Sequence, residues 1–224
     1  MTEATTTMGI HPTAIIGKGC EIDPSAEVGP YAIIESGVRI GAASRLYAHA
    51  YISQGTTIGQ RCAVHPFAVI GHHPQDLKWN NAPSYTVIGD DCVFREGCQV
   101  HRGTAPESTT KIGDRVYMMA NAHVGHNCEI GSDAILANAA LVSGHVSVGE
   151  RTFISGCALV HQFVRIGAFV MLGGGVRVTT DVPHYMLVAP LGVIGPNVVG
   201  LRRNGFSSEQ RREIRIAYKI LYRS

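Results

Sequence analysis

A repeat of six residues runs through most of this 224-residue chain and restricts the folds open to it. An apolar residue opens nearly every hexad from Ile10 to Val178, and the fifth residue is almost always Ala, Cys, Val, Ser or Thr. Only the hexads that begin at Asp76, Ala82 and Pro106 break the repeat. A period of six suits neither an amphipathic helix nor a hairpin meander, but it is typical of a solenoid of short strands and corners. The repeat therefore predicts an all-β solenoid, a parallel β-helix in which three hexads make one triangular coil.

Glycine often occupies the second position of the hexad, as in Gly17, Gly29 and Gly41. The corners of such a coil need either a positive φ or a close approach of two backbones, and glycine permits both. We therefore interpret these glycines as structural, and none of them as part of a phosphate-binding loop.

Five of the six cysteines stand at the small fifth position: Cys20, Cys62, Cys92, Cys98 and Cys128. Cysteines placed in this way are expected to pack as small apolar residues instead of forming disulfides or a metal site. Free thiols, a polar start and no apolar run long enough to span a bilayer together predict a cytoplasmic protein without membrane insertion.

The end of the repeat divides the chain into two parts. Residues 1–182 are predicted to form one elongated solenoid, with loops extruded at 76–87 and 106–111. Residues 183–224 are predicted to be an irregular connector, rich in Pro and Gly, followed by a C-terminal helix. Ser207 and Gln210 have the spacing of a capping box, and four residues then fall on one helical face: Ile214, Ala217, Tyr218 and Leu221.

The C-terminal part is strongly basic although the whole chain carries a net charge of only +2. Two acidic residues, Glu209 and Glu213, are outnumbered there by seven basic ones: Arg202, Arg203, Arg211, Arg212, Arg215, Lys219 and Arg223. Such a segment predicts an acidic partner or a phosphate, or else a solvated helix face. Nucleic acid is not expected, because the segment has no recognition motif and few aromatic residues for base stacking.

The histidines are predicted to gather along one edge of the solenoid. With the two loops removed, residues eighteen apart are stacked about 4.8 Å from each other, so that His126 lies over Gly144 and Asn127 over His145. The same column also receives His72, His73, His101, His123 and His161. An edge rich in imidazole suits general-base chemistry, a metal site or merely exposed polar side chains.

A metal site is the weaker of the chemical alternatives. His123 and His126, with His145 from a neighbouring subunit, could supply three zinc ligands. The rings of such ligands are usually oriented by carboxylates, and this column has Asn127 and Gln162 instead. We therefore expect no bound metal.

Short strings along nearly the whole chain are specific in combination. They include His65-Pro66-Phe67-Ala68, Gln75-Asp76-Leu77-Lys78, His101-Arg102-Gly103-Thr104, Asn121-Ala122-His123-Val124, Gly144-His145-Val146-Ser147, Val160-His161-Gln162-Phe163, Asp181-Val182-Pro183 and Gly200-Leu201-Arg202-Arg203. In these strings the sequence resembles the UDP-N-acetylglucosamine O-acyltransferases that begin lipid A synthesis.

The resemblance implies a left-handed parallel β-helix, assembled as a homotrimer with active sites in the clefts between subunits. It also implies transfer of a 3-hydroxyacyl group from acyl carrier protein to the 3-hydroxyl of UDP-N-acetylglucosamine. No cofactor is implied beyond the phosphopantetheine of the donor. The acidic carrier protein would account for the basic C-terminal part, although the usual chain of this family continues for several more helices.

The resemblance also assigns residues. His126 matches the general base and Gly144 the position whose backbone N–H receives the oxyanion. Matches to positions that hold the sugar, the acyl hydroxyl or the phosphopantetheine are Asp76, Lys78, His101, His123 and His145, and His161 and Gln162 match contacts across the cleft. Asn197 and Arg203 match nucleotide or carrier contacts.

Three positions depart from the pattern of the family. Asn127 replaces the usual Asp after the base, so a backbone carbonyl is expected to orient His126. Val199 replaces a glutamate, and Asn204 stands where a second arginine normally binds phosphate. Met171 and Gly174 lie near the position that measures the acyl chain, and the small residues there predict a long chain.

Several alternatives remain open from the sequence. An N-acyltransferase of a UDP-3-amino sugar would need less help from a base and would tolerate Asn127. In a γ-type carbonic anhydrase the histidines would bind zinc, and in a non-catalytic solenoid they would have no chemical role. An acetyl-coenzyme A transferase of the hexapeptide class is disfavoured by the loop at 76–87 and by the basic C-terminal part.

Overall fold

The computed structural model describes residues 9–222, so the polar start before Gly9 and the predicted basic residue Arg223 lie outside the described residues. Within that range the chain forms 27 strands and two helices. The strands are β1 (Ile15–Ile16), β2 (Glu21–Ile22), β3 (Glu27–Val28), β4 (Ile33–Ile34), β5 (Arg39–Ile40), β6 (Arg45–Leu46), β7 (Tyr51–Ile52), β8 (Thr56–Ile58), β9 (Ala63–Val64), β10 (Val69–His72), β11 (Tyr85–Ile88), β12 (Val93–Phe94), β13 (Gln99–His101), β14 (Thr109–Ile112), β15 (Tyr117–Met118), β16 (His123–Val124), β17 (Glu129–Ile130), β18 (Ile135–Leu136), β19 (Leu141–Val142), β20 (Ser147–Val148), β21 (Phe153–Ile154), β22 (Leu159–Val160), β23 (Arg165–Ile166), β24 (Met171–Leu172), β25 (Arg177–Val178), β26 (Met186–Ala189) and β27 (Gly192–Pro196); the helices are α1 (Val198–Arg203) and α2 (Ser208–Tyr222).

The strands form three sheets, one for each side of a triangular prism. The first sheet runs β1-β4-β7-β10-β13-β16-β19-β22-β25, the second β2-β5-β8-β11-β14-β17-β20-β23, and the third β3-β6-β9-β12-β15-β18-β21-β24-β26-β27. Every third strand pairs in parallel, as Ile15 does with Ile33, eighteen residues further on. This register confirms the predicted coil of three hexads.

The hexad pattern explains the core. In most of the two-residue strands the hexad opener is buried inside the prism, and the residue before it faces outward because side chains alternate along a strand. Four cysteines at the fifth position, Cys62, Cys92, Cys98 and Cys128, are buried with free thiols, which confirms their packing role. The first opener is an exception: Ile10 is 49% exposed, since it lies at the end of the described coils.

Most corner glycines serve only one of the two purposes predicted for them, and Gly71, which has φ of 78°, is an exception. At Gly17 a Cβ atom would lie 2.3 Å from the Ser36 backbone nitrogen of the next coil, so the glycine is required by close approach. Positive φ values occur instead at the fourth position, where non-glycine residues such as Ala43 (55°) and Ala139 (55°) adopt them.

Both inserted loops leave the solenoid at the same edge, between the first and second sheets. They occupy residues 73–84 and 102–108, and they lengthen the pairing interval from eighteen to 30 residues at Val69–Gln99 and to 24 at Gln99–His123. The predicted boundaries were partly wrong, because Tyr85 to Val87 and Thr109 to Lys111 pair with each other as strands.

The C-terminal part is more regular than predicted. β26 continues the third sheet beyond residue 182 by pairing with β24, and β27 returns antiparallel to it. The predicted capping box is present, because Ser207 N–H donates to Gln210 Oε1 and Gln210 N–H donates to Ser207 Oγ. The predicted helical face is only half correct: Tyr218 is buried and Ile214 half-buried, whereas Ala217 and Leu221 are exposed.

Candidate active site

The structure brings the predicted histidines together where the first sheet turns into the second. We call this the histidine edge and define it by His101, His123, His126 and His145. The ring centroids of His101 and His123 are 5.1 Å apart, and those of His126 and His145 are 5.0 Å apart. His72 pairs with His101 across a bulge of the first sheet, which adds a further imidazole to this edge.

The other residues predicted for this edge lie further out. His161 and Gln162 are exposed in the next coil, where the His161 Nδ1–H donates to the Gln162 carbonyl. Phe163 follows them and stacks on the ring of His145 at 4.7 Å. These residues extend the histidine edge along the solenoid without contacting His126.

Burial lowers the pKa of three rings of this edge and so favours their neutral form. It lowers the pKa of His123 to about 4, with a smaller contribution from the neighbouring His101 and His126. Burial also lowers the pKa of His101 and of His145. Neutral imidazoles can each accept one hydrogen bond, and an acceptor is what a hydroxyl-bearing ligand requires.

His126 is held between two neighbours. Its Nδ1 lies 3.0 Å from Asn127 Oδ1, so the side chain of Asn127 orients the ring and the backbone carbonyl expected from the sequence does not. On its other side the ring covers Gly144, where an added Cβ would lie 2.5 Å from both Cε1 and Nε2. Among the hydrogen bonds of residues 9–222, none uses the Gly144 N–H as its donor.

The loop of residues 73–84 carries Asp76 and Lys78 over the same edge. Asp76 Oδ1 accepts the Lys78 N–H at 2.9 Å, and the charge of Asp76 acts on His145. Two contacts hold the start of the loop at His73. The His101 Nδ1–H donates to the His73 carbonyl at 2.6 Å, and the ring centroids of His73 and Trp79 are 4.4 Å apart.

A buried polar network behind these residues was missed in the sequence. Glu35 accepts hydrogen bonds from Tyr51 and Ser53, and Ser53 in turn accepts one from Arg102, which is 7% exposed. Burial raises the pKa of Glu35, but its hydrogen bonds and the charge of Arg102 outweigh this and lower the pKa to about 2. The network joins the first coils to the residue that follows His101. The spacing Glu35, Tyr51, Ser53 is close to one coil, and that signal could have found it.

All but one of the remaining predicted residues line a groove on the third sheet. This groove of about 750 Å³ is bounded by Met171, Asn197 and Arg203 and also by Asn204 and Val199. Asn197 caps α1 by accepting the Gly200 N–H and donates to the Phe169 carbonyl, so both ends of its amide are engaged. Asn204 accepts a hydrogen bond from Arg151.

The groove and the histidine edge are on opposite sides of the prism. The third sheet is the side that faces away from the edge between the first and second sheets. Gly174 lies elsewhere again, at the corner from β24 to β25, where the nearest atom to an added Cβ is the Gly156 carbonyl oxygen at 3.7 Å. One subunit therefore does not bring all of the predicted residues together.

Two further observations concern ligands. Within the described range 9–222, no three His, Cys, Asp or Glu side chains are arranged to hold a metal ion. In the same residues no helix is both long and apolar enough to cross a membrane.

A parallel prism of six-residue repeats is typical of hexapeptide-repeat proteins, a class that includes bacterial transferases. The family model of bacterial transferase hexapeptide repeats matches residues 109–144, and that of the GMPPB C-terminal domain matches residues 4–106. The model described as UDP N-acetylglucosamine O-acyltransferase, domain 2, matches residues 181–224.

Named relatives narrow the class to one family. The acyl-(acyl-carrier-protein)–UDP-N-acetylglucosamine O-acyltransferase of Verminephrobacter eiseniae is 45% identical over 217 residues, which are 96% of this chain and 83% of that one. The enzyme of the same name from Burkholderia mallei is 48% identical over 221 residues, with the same two coverages. The chain belongs to the family of UDP-N-acetylglucosamine O-acyltransferases.

Solved structures of the same family superimpose closely on this chain. The UDP-N-acetylglucosamine acyltransferase of Bacteroides fragilis superimposes with a TM-score of 0.94 at 37% identity, covering 96% of this chain and 86% of that one. The enzyme of Francisella novicida gives a TM-score of 0.93 at 34% identity, with coverages of 96% and 80%. The predicted fold class is confirmed: a left-handed parallel β-helix of hexapeptide repeats with a short C-terminal α-helical segment.

Proposed function

We propose that this acyltransferase moves a 3-hydroxyacyl chain from acyl carrier protein to the 3-hydroxyl of UDP-N-acetylglucosamine, the first step of lipid A synthesis. The observation that carries the proposal is the placement of the His126 ring against Gly144, whose N–H donates no hydrogen bond within the described residues. A base and an oxyanion donor in contact are the two groups that acyl transfer to a hydroxyl requires.

The reaction follows from these two groups. A sugar hydroxyl is a poor nucleophile at neutral pH, so Nε2 of His126 removes its proton as the oxygen attacks the thioester carbonyl. The carbonyl oxygen becomes an oxyanion and accepts the Gly144 N–H. When the tetrahedral intermediate collapses, the C–S bond breaks, and the imidazolium returns the proton to the departing thiolate.

The position of the groove supports a homotrimer. Met171 and Arg203 line the third sheet, opposite the histidine edge of the same subunit. A second copy can bring its groove to the histidine edge of the first, and three copies around a three-fold axis close such a set of contacts. Each site then takes its base from one subunit and its groove from another.

The groove has the composition that an acyl chain and a charged carrier need. Ile135, Phe153, Met171 and Leu187 give it an apolar floor, and Arg203 lies at its side. An apolar floor of this kind fits a long hydroxyacyl chain, with Met171 near its end. The arginines of α1 and α2 give acidic acyl carrier protein a docking surface.

We infer a cytoplasmic reaction that needs no cofactor beyond the phosphopantetheine of the donor. Acid–base chemistry and hydrogen bonding account for each step described above, and none of these steps transfers an electron.

The proposal is tested by transfer from a panel of 3-hydroxyacyl carrier proteins to UDP-N-acetylglucosamine. We expect transfer with the wild-type protein and a loss of at least ~100-fold in kcat for His126→Ala. His49→Ala is the matched control: His49 lies on another edge between Tyr31 and Phe67, and Ala43 shows that the corresponding position accepts alanine. Equal rates for His126→Ala and wild type would refute the role of the base, and transfer only to a 3-amino sugar nucleotide would refute the acceptor.

A further inference from the structure

Three hydrogen-bond donors converge on the side-chain oxygen of Asn127. The Thr104 backbone N–H and the Thr104 hydroxyl each lie 3.0 Å from Oδ1, and Nδ1 of His126 lies 3.0 Å from the same atom. A backbone N–H can only donate. The amide atom that faces Thr104 must therefore be the oxygen, and the hydrogen-bond network determines the orientation of the amide.

This orientation determines the tautomer of His126. A ring nitrogen that faces an amide oxygen forms a hydrogen bond only if it carries the proton, so Nδ1 is protonated. A neutral imidazole has one N–H, which leaves Nε2 with a lone pair. Nε2 is the ring nitrogen that lies against Gly144, where an added Cβ would be 2.5 Å away. The nitrogen that keeps the lone pair is thus the one nearer to Gly144, since the same Cβ would lie 3.0 Å from Nδ1.

Asn127 itself is fixed by the second inserted segment. Its backbone has φ of 59° and its N–H donates to Thr110 Oγ1 at 2.7 Å. Thr104 belongs to the loop of residues 102–108, and Thr110 to β14, which follows the loop. The loop of residues 102–108 therefore supplies donors to Asn127 that a regular coil lacks.

We propose that Thr104 is a positioning residue which, through the amide oxygen of Asn127, holds His126 in the tautomer with a free Nε2. The proposal rests on the proposed function, in which Nε2 accepts the proton of the sugar hydroxyl. An amide has a donating end as well as an accepting one, and a flipped Asn127 would force the opposite tautomer. A carboxylate has no donating end, so the need for Thr104 is specific to asparagine at this position.

The tautomer is measured directly by nitrogen-15 NMR of the imidazole, without any turnover. We expect Nδ1 of His126 to be protonated in the wild-type protein above the pKa of the ring. Protonation at Nε2 would overturn the proposal. If no carrier protein supports transfer, the proposed function fails, while this measurement still decides the tautomer.

Kinetics of Asn127 variants provide the second test. Asn127→Ala should fold, because Ala43 and Ala139 take the same hexad position with φ of 55°, and should lower kcat roughly tenfold, short of the loss for His126→Ala. Asn121→Ala is the matched control, since Asn121 has φ of 59° at the same hexad position on another edge. Equal kcat for Asn127→Ala and wild type would contradict the proposal.

The aspartate variant separates a positioning role from a structural one. The groups that face His126 are the rings of His101, His123 and His145, and Asp76 acts on His145. In Asn127→Asp a new carboxylate stabilises the imidazolium, so the acidic limb of the kcat/KM profile moves up by roughly one pH unit. If Asn127 had only a structural role, the acidic limb of the kcat/KM profile would not move in Asn127→Asp.

A double variant tests the dependence on Thr104. Thr104→Val removes the hydroxyl donor and should lower kcat roughly two- to tenfold, the equivalent of one ordinary hydrogen bond. In the Asn127→Asp background the same substitution should have no effect on kcat, because a carboxylate cannot present a donor to the ring. Equal losses in the two backgrounds would overturn the positioning role of Thr104.

Discussion

Two edges of the prism share the same backbone geometry but differ in whether their polar groups are paired. The edge between the second and third sheets, which we call the ladder edge, presents Arg61, Asp91, Arg115, Asp133 and Arg151 at successive fourth positions. Arg61 Nε lies 2.6 Å from Asp91 Oδ1, Arg115 Nε 2.8 Å from Asp133 Oδ1, and Arg151 Nε 3.8 Å from Asp133 Oδ2. Charges of opposite sign alternate along this edge, and each has a partner in a neighbouring coil.

The histidine edge leaves polar atoms without partners. His101 is 6% exposed, its Nδ1–H donates to the His73 carbonyl, and its Nε2 has no hydrogen-bond partner among the described residues. The Gly144 N–H is likewise unused there. Buried polar groups are almost always paired in folded proteins, so groups that are not paired indicate a ligand site. The coil geometry is common to both edges, and hydrogen-bond satisfaction distinguishes them.

The largest effect is expected at Gly144. In Gly144→Ala the new Cβ would lie 2.5 Å from the His126 ring, which must move away from the reacting atoms. We expect kcat to fall on the order of 100-fold, because a displacement of about 1 Å is enough for such a loss. Thermal unfolding of the protein and a kcat measurement check this.

Gly156→Ala is the comparison for that variant. Gly156 has the same hexad position on another edge, and its nearest neighbour to an added Cβ is the Asn138 carbonyl oxygen at 3.3 Å. Both variants should unfold at similar temperatures while only Gly144→Ala loses kcat. A fully active Gly144→Ala would show that the histidine edge is not the catalytic edge.

A smaller effect is expected for the network behind the histidine edge. Glu35→Gln leaves Arg102 without its carboxylate, and the free energy of unfolding should fall by about 1–3 kcal/mol. Glu21→Gln is the control, because Glu21 is 69% exposed in its pair with Arg39 and should change that free energy by less than about 0.5 kcal/mol. Equal changes in chemical denaturation would remove the distinction between the two carboxylates.

The same residue gives a pH dependence. The pKa of Glu35 is about 2 in the folded protein against an ordinary value of 4.5, so its contribution to stability is complete above 4.5 and is lost as pH falls toward 2. Wild type should lose more stability than Glu35→Gln over this interval. Denaturation curves of both proteins at several pH values measure this difference. Equal losses of stability in wild type and Glu35→Gln would contradict the low pKa of Glu35.

The smallest effect is expected on the ladder edge. Arg115→Met removes one exposed charge and leaves Asp133 with Arg151, so we expect a loss of at most about 1 kcal/mol in the free energy of unfolding and no change in kcat. A clear loss of kcat in this variant would mean that the two edges are not functionally distinct.

Much of the fold could be predicted because one pattern repeats. The apolar opener and the small fifth residue recur every six positions, and each coil only has to stack on the previous one. Prediction was weaker where the repeat ends: the β26–β27 hairpin and α1 were expected to be irregular, since their residues follow no period. The loop boundaries differed by a few residues because the pairing of Tyr85 with Thr109 depends on contacts between coils.

The candidate site was predicted less completely than the fold. The column His101, His123, His126 and His145 follows from counting in eighteens, and the resemblance to a family supplied their expected roles. The contacts of His126 did not follow, because its partner Asn127 accepts hydrogen bonds from Thr104, which lies in an inserted loop. Glu35 and Arg102 are 67 positions apart in the sequence, and no local pattern relates them.

By itself, the sequence determined the period of the coil, the inward and outward faces of each strand and the edge on which the histidines gather. These properties are set by side-chain alternation and by stacking between successive coils, which are local and repeat. Only the tertiary structure decided which polar atoms are paired, which ring nitrogen of His126 faces Asn127, and that the groove lies opposite the histidine edge. Those properties depend on distances between side chains from different coils, and a one-dimensional repeat does not contain such distances.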